Sequence, residues 1–546
     1  MAAIRYIFLS DLHFGERNSI LTDPLGPGMQ APVEPSEGME ALVACLQDVV
    51  RSCSGGAPPR LVLLGDAFEL ALAPRHVAFD IFARFVGMLF PDGGRPLFDP
   101  RIVFVPGNHD HDLWTSTRDD LLNLQLARSE GRLEPTAPVT TAFDLLCPRG
   151  DGASVEPTRS EMLTRLLHHR LPQRSDLEVQ VAYPNLGVFE GDRAVVAHHG
   201  HFMDDVYVLM STVSRAVFGG ERVTGLDQLE ADNGAWIDFV WSSLGREGSL
   251  ASGLRRSYDL LQSGSGKVLL ASRLAAAFAS VAPGNFAKRV AQRLLLAPLL
   301  RALDGLEKTD IRRSLPATEE LPGEVLGYID GPLAAALRQE YRERGIRPQH
   351  HTFLYGHTHR PLAQWAWLPR EQVRVAVYNT GGWVVDTQMP RPATSGGMVL
   401  VDETLETVLV RIGAQVLEPH IAPVRVEQCD GAGGAFARQV EALVHRPGGP
   451  WRHAAGELGS AILRRRSEHA ARLIREMEQL NGYERLALRS DTIWKLLARR
   501  RAEAEREFRK LISGGTGEVS RKPRLLRQRS PIALPPHDAQ SVPTGG

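Results

Sequence analysis

Short apolar runs along the chain predict buried β-strands. Five of them cover residues 4–9, 60–64, 101–105, 193–197 and 352–355. A run of this length without polar alternation is typical of a strand that is covered on both faces. Between the first two runs, Ser36 is placed to cap a helix with one apolar face. A second helical segment, 75–90, lies between the second and third runs. Strands that alternate with helices predict a parallel sheet packed between helices.

The pattern divides the chain into five segments. Residues 111–177 are irregular with helical pieces, and strand patterns then return. These later strand-like runs lie at 178–183, 373–378, 397–401 and 406–411. We predict an α/β core in two halves, 1–202 and 351–430, separated by a mostly helical insert at 203–350. Beyond a glycine-rich linker at 431–434, a helical C-terminal extension reaches 512, and composition predicts disorder for 513–546.

Composition predicts a globular protein. Of the 546 residues, 43% are hydrophobic and 23% charged, and the net charge of -1 gives no overall field that would attract nucleic acid or an anionic membrane. The four cysteines are scattered, which favours a reducing, cytoplasmic location. We expect neither a signal peptide at the N-terminus nor a transmembrane segment, because no stretch reaches the ~18 uncharged apolar residues that a membrane span needs.

Each of the five strand-like runs is followed by a cluster of potential metal ligands. The clusters are Ser10-Asp11-Leu12-His13, Gly65-Asp66, Gly107-Asn108-His109-Asp110, His198-His199-Gly200-His201 and Gly356-His357-Thr358-His359. Ligands of open α/β sheets bind beyond the carboxyl ends of the strands, so one rim would collect all five clusters. Carboxylate, imidazole and amide oxygen suit Mn, Fe or Zn. Two such ions can hold the attacking and leaving oxygens of an in-line displacement.

The order D-x-H, G-D, G-N-H-D, H-G and G-H-x-H resembles that of the calcineurin-like metallophosphoesterases. The resemblance covers residues 1–110, 178–202 and 352–413. It implies a two-sheet β sandwich flanked by helices, here with a large helical insert and a helical C-terminal extension. It also implies hydrolysis of phosphoester bonds by a hydroxide that bridges two divalent ions, with Mn expected first and Fe or Zn as alternatives.

The resemblance carries roles over to individual positions. It implies that Asp11, His13 and His359 hold the first ion, that Asn108, His199 and His357 hold the second, and that Asp66 bridges them. The implied general acid is His109, oriented by Asp110.

Several neighbouring residues keep alternative interpretations. His199 is the expected ligand of the fourth cluster, with His198 as the alternative after a shift of one residue. His201 would face the substrate or support a ligand. His111 would contact the substrate or lie in a solvated loop. Arg360 would bind a phosphate or form an ion pair at the rim.

Two elements bear a closer resemblance to UDP-2,3-diacylglucosamine hydrolases. These are Gly65-Asp66-Ala67-Phe68-Glu69 and Gly356-His357-Thr358-His359-Arg360-Pro361. That resemblance implies a nucleotide-linked pyrophosphate on a lipid as substrate, with acyl chains held under the insert. The third cluster departs from it, because His109 stands where those enzymes carry an arginine. The substrate therefore stays open between a phosphomonoester and a nucleotide-linked pyrophosphate.

The insert and the C-terminal extension each carry basic amphipathic sequence. Residues 267–305 combine an apolar stripe, which includes Leu274, Phe278, Leu295 and Leu299, with several arginines. Such helices lie on a membrane surface or, more commonly, pack on the core. The arginine runs at 464–466, 499–501 and 521–524 would contact phosphates of nucleic acid or lipid, or form a solvated helix face.

Two rival functions follow from the same clusters. A nuclease would need a basic groove at the ligands, yet only Arg17 and Arg360 lie near them in sequence, which disfavours nucleic acid as a partner. An inactive scaffold protein would tolerate the loss of ligands, yet all seven expected ligand positions are filled. We therefore predict a metal-dependent phosphoesterase that acts on a phosphorylated small molecule or a lipid-linked substrate.

Overall fold

The fold consists of two mixed β-sheets with helices on their outer faces. The computed structural model describes residues 2–23, 35–53, 55, 57–91, 93, 96–128, 158–204, 207, 211, 225–243, 257, 260, 264–279, 321–385, 396–413, 423–429 and 433–478. The strands are β1 (Ile4–Leu9), β2 (Arg60–Leu63), β3 (Arg101–Phe104), β4 (Thr158–Arg159), β5 (Glu178–Val181), β6 (Asn185–Glu190), β7 (Arg193–His198), β8 (His350–Tyr355), β9 (Leu362–Leu368), β10 (Val373–Asn379), β11 (Gly396–Asp402), β12 (Thr407–Ile412) and β13 (Val424–Glu427).

The helices surround these sheets. They are α1 (Glu37–Cys53), α2 (Arg75–Leu89), α3 (Asp112–Arg128), α4 (Glu161–Arg170), α5 (Leu226–Ile237), α6 (Gly264–Ala279), α7 (Gly323–Tyr328), α8 (Ala334–Arg344), α9 (Ala435–Val444) and α10 (Trp451–Glu478). Two π-helical turns, 238–243 and 329–333, extend α5 and α7. None of the helices in the described ranges is long and apolar enough to span a lipid bilayer.

The first sheet has the strand order β13-β12-β11-β1-β2-β3-β5-β4, and the second has the order β6-β7-β8-β10-β9. Parallel pairing joins β1, β2, β3 and β5 in one sheet and β7, β8 and β10 in the other. The two sheets face each other across an apolar core that includes Phe8, Val62, Val195, Leu354 and Val399. The predicted α/β architecture of two sheets flanked by helices is therefore confirmed.

The local predictions hold where the apolar pattern was strong. The Ser36 hydroxyl accepts a hydrogen bond from the backbone N–H of Met39 at 3.1 Å, which caps the start of α1. The predicted apolar face of α1 is buried; it consists of Met39, Leu42, Val43, Leu46, Val49 and Val50. The five strands that precede the ligand clusters lie at their predicted positions to within two residues.

The insert packs on the core through α5, because Leu226, Leu229 and Ile237 belong to the same apolar cluster as the outer face of the first sheet. Farther along the insert, Val268, Leu269 and Ala271 of α6 are buried and Leu274 is half-buried. The side chain of Phe278 and the residues Leu295 and Leu299 lie outside what the structure describes.

The C-terminal arginine run corrects one expectation. Arg464 is exposed, as a solvated helix face requires, but Arg465 is only 3% exposed and lies against the N-terminal loop. The runs at 499–501 and 521–524 lie outside the described residues.

Candidate metal centre

The carboxyl ends of β1, β2, β3, β7 and β8 meet at one rim of the sandwich, where all five ligand clusters come together. Histidine and acidic side chains form three groups there, and the potential ligand atoms of each group lie within 4.8 Å of one another. The groups are Asp11, His13 and His359; Asp66, His199 and His357; and His13, Glu69 and His109. All of these residues are at most 2% exposed.

Asp66 lies between the histidines of the first two groups. Its Oδ2 atom is 3.2 Å from Nε2 of His199 and 3.7 Å from Nε2 of His13. Its Oδ1 atom accepts a hydrogen bond from the backbone N–H of His109 at 2.8 Å. This bond places Asn108, which precedes His109, beside Asp66. One carboxylate therefore faces both groups while its second oxygen is held by the backbone.

Three of the imidazoles are fixed through one ring nitrogen. His13 Nδ1 lies 3.0 Å from Glu69 Oε2, and His199 Nδ1 donates to the carbonyl oxygen of Leu64 at 3.0 Å. His357 Nε2 lies 2.8 Å from Asp204 Oδ2. Histidine ligands of metals are commonly held in this way, because the bond on one nitrogen fixes the tautomer and directs the other nitrogen at the ion.

The opposite nitrogens of these rings have no hydrogen-bond partner within the described ranges, although they are buried. Two nearby oxygens also lack a hydrogen-bond partner, so the buried ligand atoms without one include His13 Nε2, Asp66 Oδ2, Asn108 Oδ1, His199 Nε2 and His357 Nδ1. A buried polar group without a partner costs about 1–3 kcal/mol. Divalent ions would satisfy all five, so these residues fit the metal ions that the resemblance implies.

The backbone at the rim adopts a conformation that side chains normally avoid. Five of the proposed ligands have positive φ: Asp11 (53°), His13 (44°), Asp66 (48°), His357 (63°) and His359 (54°). A non-glycine residue in this region is strained by about 1–2 kcal/mol. Strain of this kind concentrates at functional sites, where the surrounding structure enforces it.

Glycines of the motifs allow the close approach of the ligands. A Cβ atom at Gly107 would overlap the Asp66 carboxylate and the ring of His199. A Cβ atom at Gly356 would overlap the carboxylate of Asp11. The glycines of G-N-H-D and G-H-x-H are therefore required by the packing of the ligands themselves.

The charges of the site balance one another. Burial alone would raise the pKa of Asp66, but His199, His109 and His13 hold that pKa well below its usual range. For His199 burial works in the opposite direction, and Asp66 raises its pKa to about 9. Carboxylates and imidazoles therefore stabilise each other's charged forms in the absence of an ion.

Glu69 has a role that the sequence analysis did not assign. Its Oε2 atom lies 2.8 Å from Nδ1 of His109 as well as 3.0 Å from Nδ1 of His13. Its Oε1 atom accepts hydrogen bonds from the backbone N–H groups of Ala71 and Leu72. Glu69 closes the G-D-x-F-E element, which was the available signal. Asp204, which contacts His357, carried no sequence signal.

The Asp110 carboxylate holds backbone groups of the second and third loops, and its expected orientation of His109 stays a prediction. The Asp110 carboxylate accepts backbone N–H bonds from Gly107 at 2.7 Å, Phe68 at 3.1 Å and Asp66 at 3.3 Å. It therefore fixes the second and third loops to each other, and Glu69 takes the contact with His109. Burial and the neighbouring Asp66 raise the pKa of Asp110 to about 7.

The fourth cluster divides its histidines between two environments. His199 lies with Asp66 and His357, whereas His198 packs against the ring of Tyr328 at a centroid distance of 4.8 Å. His201 lies 3.2 Å from the hydroxyl of Tyr183, beside the three ligand groups. The geometry therefore favours His199 over His198 as a ligand.

Arg360 and His111 lie close to the rim. Arg360 follows His359 directly and is 8% exposed. His111 is buried rather than solvated, with Nδ1 2.7 Å from Asp238 and Nε2 3.0 Å from Glu230. Both of these carboxylates belong to the insert, so the insert reaches the third ligand loop.

Comparisons with known proteins found similarities among solved structures. No protein-family model and no curated protein matches the chain. Among solved structures it is similar to a dimetal phosphatase from Danio rerio, with 12% sequence identity and a TM-score of 0.27. The match covers 75% of this chain and 96% of the other. A similarity this low does not establish a family, so the geometry of the site carries the functional proposal.

Proposed function

We propose that the protein hydrolyses phosphoester bonds with the help of two divalent metal ions. The observation that carries this proposal is the set of buried, unpartnered ligand atoms around Asp66, with the other nitrogens of three imidazoles fixed by Glu69, Leu64 and Asp204. Hydrogen bonds that fix one nitrogen of each imidazole leave the other nitrogen directed at the place that an ion would occupy.

The ligands fall into two sets that share Asp66. Asp11, His13 and His359 would hold one ion, and Asn108, His199 and His357 the other. We expect Mn first, with Fe or Zn as alternatives, because the donors are carboxylate, imidazole and amide oxygen. When bound, such ions activate water and neutralise charge on the phosphoryl group.

Other residues of the rim would handle the proton and the phosphate. His109 is held through Nδ1 by Glu69. Its Nε2 atom, which is buried and lacks a hydrogen-bond partner among the described residues, would give a proton to the leaving oxygen. Arg360, adjacent to His359, would contact a phosphate oxygen through its fixed charge. His201 is set back beside Tyr183, so we assign it to support of the fourth loop.

The substrate class is a phosphomonoester or a nucleotide-linked pyrophosphate. The insert contacts the third ligand loop, so substrates must fit between the insert and the rim. The resemblance of Gly65–Glu69 and Gly356–Pro361 to UDP-2,3-diacylglucosamine hydrolases supports the pyrophosphate alternative. The histidine at position 109 supports an ester whose leaving group needs a proton.

Metal content and activity test the proposal together. Purified protein should contain about two divalent ions per chain. It should also hydrolyse p-nitrophenyl phosphate, or a nucleotide-diphosphate lipid, in a Mn-, Fe- or Zn-dependent way. Asp66→Asn should lose both ions, whereas the exposed Asp192→Asn should keep them. Active protein with one ion or none would refute the two-metal proposal, and cleavage of single-stranded DNA alone would favour the nuclease alternative.

A further inference from the structure

One segment of the insert is fixed to the third ligand loop. Its π-helical turn carries Ser242, whose hydroxyl donates to the carbonyl oxygen of Asn108 at 2.9 Å. Asp238, at the start of the turn, lies 2.7 Å from His111 Nδ1 and accepts from the hydroxyl of Thr115 at 2.8 Å. On the preceding helix α5, Glu230 lies 3.0 Å from His111 Nε2. Together these bonds give the turn a defined position above residues 108–115.

The fixed turn places an aromatic ring beside the proposed acid. The ring of Trp241 lies 5.1 Å from the ring of His109, centroid to centroid, at an interplanar angle of 43°. Trp241 is half-buried. Asp238 precedes Trp241 in the turn and Ser242 follows it, so the turn is anchored on both sides of this residue. π-Helical turns are rare and are frequently found at functional sites.

We propose that Trp241 is the specificity-determining residue of the site and selects esters whose leaving group carries a flat aromatic body. This inference rests on the proposed phosphoesterase function. The group that gives its proton to the leaving oxygen lies next to the leaving group, so the indole beside His109 forms the wall on that side. An aromatic leaving group gains contact with the indole, whereas a small polar alcohol does not.

The experiment compares two alkyl phosphates that differ in their leaving groups. Naphthylmethyl phosphate and 2-methoxyethyl phosphate both release a primary alcohol, so their demand for a proton from His109 is similar. Trp241→Ala should lower kcat/KM for the naphthylmethyl ester about tenfold, mainly through KM, because binding energy away from the reacting bond is lost. The methoxyethyl ester should change by less than about twofold. Trp241→Phe should restore most of the preference.

A second tryptophan of the insert, on the helix that precedes the turn, serves as the control. Trp236 of α5 is half-buried, donates through Nε1 to Asn233 at 2.9 Å and stacks on Tyr207, all within the insert. Trp236→Phe should leave the ratio of the two esters unchanged. Melting temperature and metal content, measured on every variant, separate a loss of selectivity from a loss of fold.

Each possible outcome either supports or overturns the assigned role of Trp241. An equal loss on both esters in Trp241→Ala, or a wild-type enzyme without preference for the naphthyl ester, would overturn the assignment. If the wild type with Mn, Fe or Zn hydrolyses neither ester, nor p-nitrophenyl phosphate, nor a nucleotide-diphosphate lipid, the proposed function fails separately. Binding of naphthylmethylphosphonate to the metal-loaded protein then decides the role of Trp241: weaker binding to Trp241→Ala than to Trp236→Phe supports it, and equal binding overturns it.

Discussion

At the scale of single residues, Glu69 connects the metal site to the proposed acid. One carboxylate oxygen faces the Nδ1 atoms of both His13 and His109, so a single side chain pairs with two imidazoles. Burial disfavours its charge, yet the two histidines keep the pKa of Glu69 below its usual value. The carboxylate is therefore charged at neutral pH, hydrogen-bonded to His13 and 2.8 Å from Nδ1 of His109.

Replacing Glu69 with glutamine should impair metal binding and catalysis together. The uncharged amide removes the negative charge that pairs with both His13 and His109. We expect a loss of about 10- to 100-fold in metal affinity and a comparable loss in kcat. Metal titration and steady-state kinetics on Glu69→Gln measure both. The exposed Glu190→Gln is the control, and wild-type metal affinity in Glu69→Gln would show that the contact is not needed.

Some residues of the site could be recognised from the sequence and others could not. Asp11, His13 and Asp66 were recognisable because they follow strand-like runs within a few positions, and local sequence determines where a strand ends. The partner of His357 was not recognisable, because Asp204 reaches it only when the fourth loop folds against the fifth. Contacts between residues 153 positions apart depend on tertiary packing, which no short motif records.

At the scale of elements, the C-terminal helix α10 braces the loop that follows the first ligands. Arg465 donates through Nε to the carbonyl oxygen of Ser19 at 3.1 Å and through a second nitrogen to that of Thr22. The hydroxyl of Ser19 in turn donates to the carbonyl oxygen of Leu12 at 2.9 Å. Leu12 lies between Asp11 and His13, so this chain of bonds runs from the extension to the metal site.

Arg465→Met should therefore destabilise the fold and loosen the first ligand loop. Leaving buried carbonyl groups without their charged donor should cost about 2–3 kcal/mol. We also expect faster loss of metal to a chelator. Its neighbour Arg464→Met should cost at most about 1 kcal/mol, because Arg464 is exposed and pairs with an exposed Glu37. Chemical denaturation measures both, and equal effects of the two changes would contradict the bracing role.

The junction between the insert and the third loop should depend on pH. Burial would lower the pKa of His111, but Glu230 and Asp238 raise it to about 10, well above the ~6.5 of an unfolded chain. Because the folded value is higher, the stability that this cation contributes is complete below about pH 6.5 and is lost as pH rises through about 10. The difference in the free energy of unfolding between wild type and His111→Gln should therefore become smaller as pH rises from about 6.5 to about 10.

Denaturation of both proteins at pH 6, 8 and 10 checks this dependence. At pH 6 the free energies of unfolding of wild type and His111→Gln should differ by about 3 kcal/mol, as for other broken buried ion pairs. A difference that stays constant across the range would mean that His111 is neutral in the folded protein.

The elements that sequence analysis missed share a position in the sheets. β6, β9 and β13 are edge strands, and their apolar patterns are interrupted or only half-buried. A central strand is covered on both faces and pairs with a strand on each side. Its sequence is therefore a continuous apolar run. An edge strand needs no such run, and its place is set by pairing with a neighbour rather than by its own composition.

At the scale of the whole molecule, the extension shares its core with the sandwich. Phe436, Val440 and Leu443 of α9, with Trp451 and Leu458 of α10, are buried in the same apolar cluster as α1 and the outer face of the first sheet. Sequence composition separated these helices from the core at residue 431. Composition predicts the linker, however, and does not predict whether the segments on its two sides pack together.

We therefore predict that the extension unfolds together with the catalytic core. Leu458→Asp places a charge in the shared cluster and should lower the free energy of unfolding by several kcal/mol, with a matching loss of metal retention. Leu463→Asp is the matched control, because that leucine lies on the same helix but is 47% exposed. Thermal unfolding followed by tryptophan fluorescence and by circular dichroism should give one coincident transition in wild type and control. Two separate transitions, with metal retained through the first in Leu458→Asp, would show that the extension folds apart from the core and that α10 does not support the site.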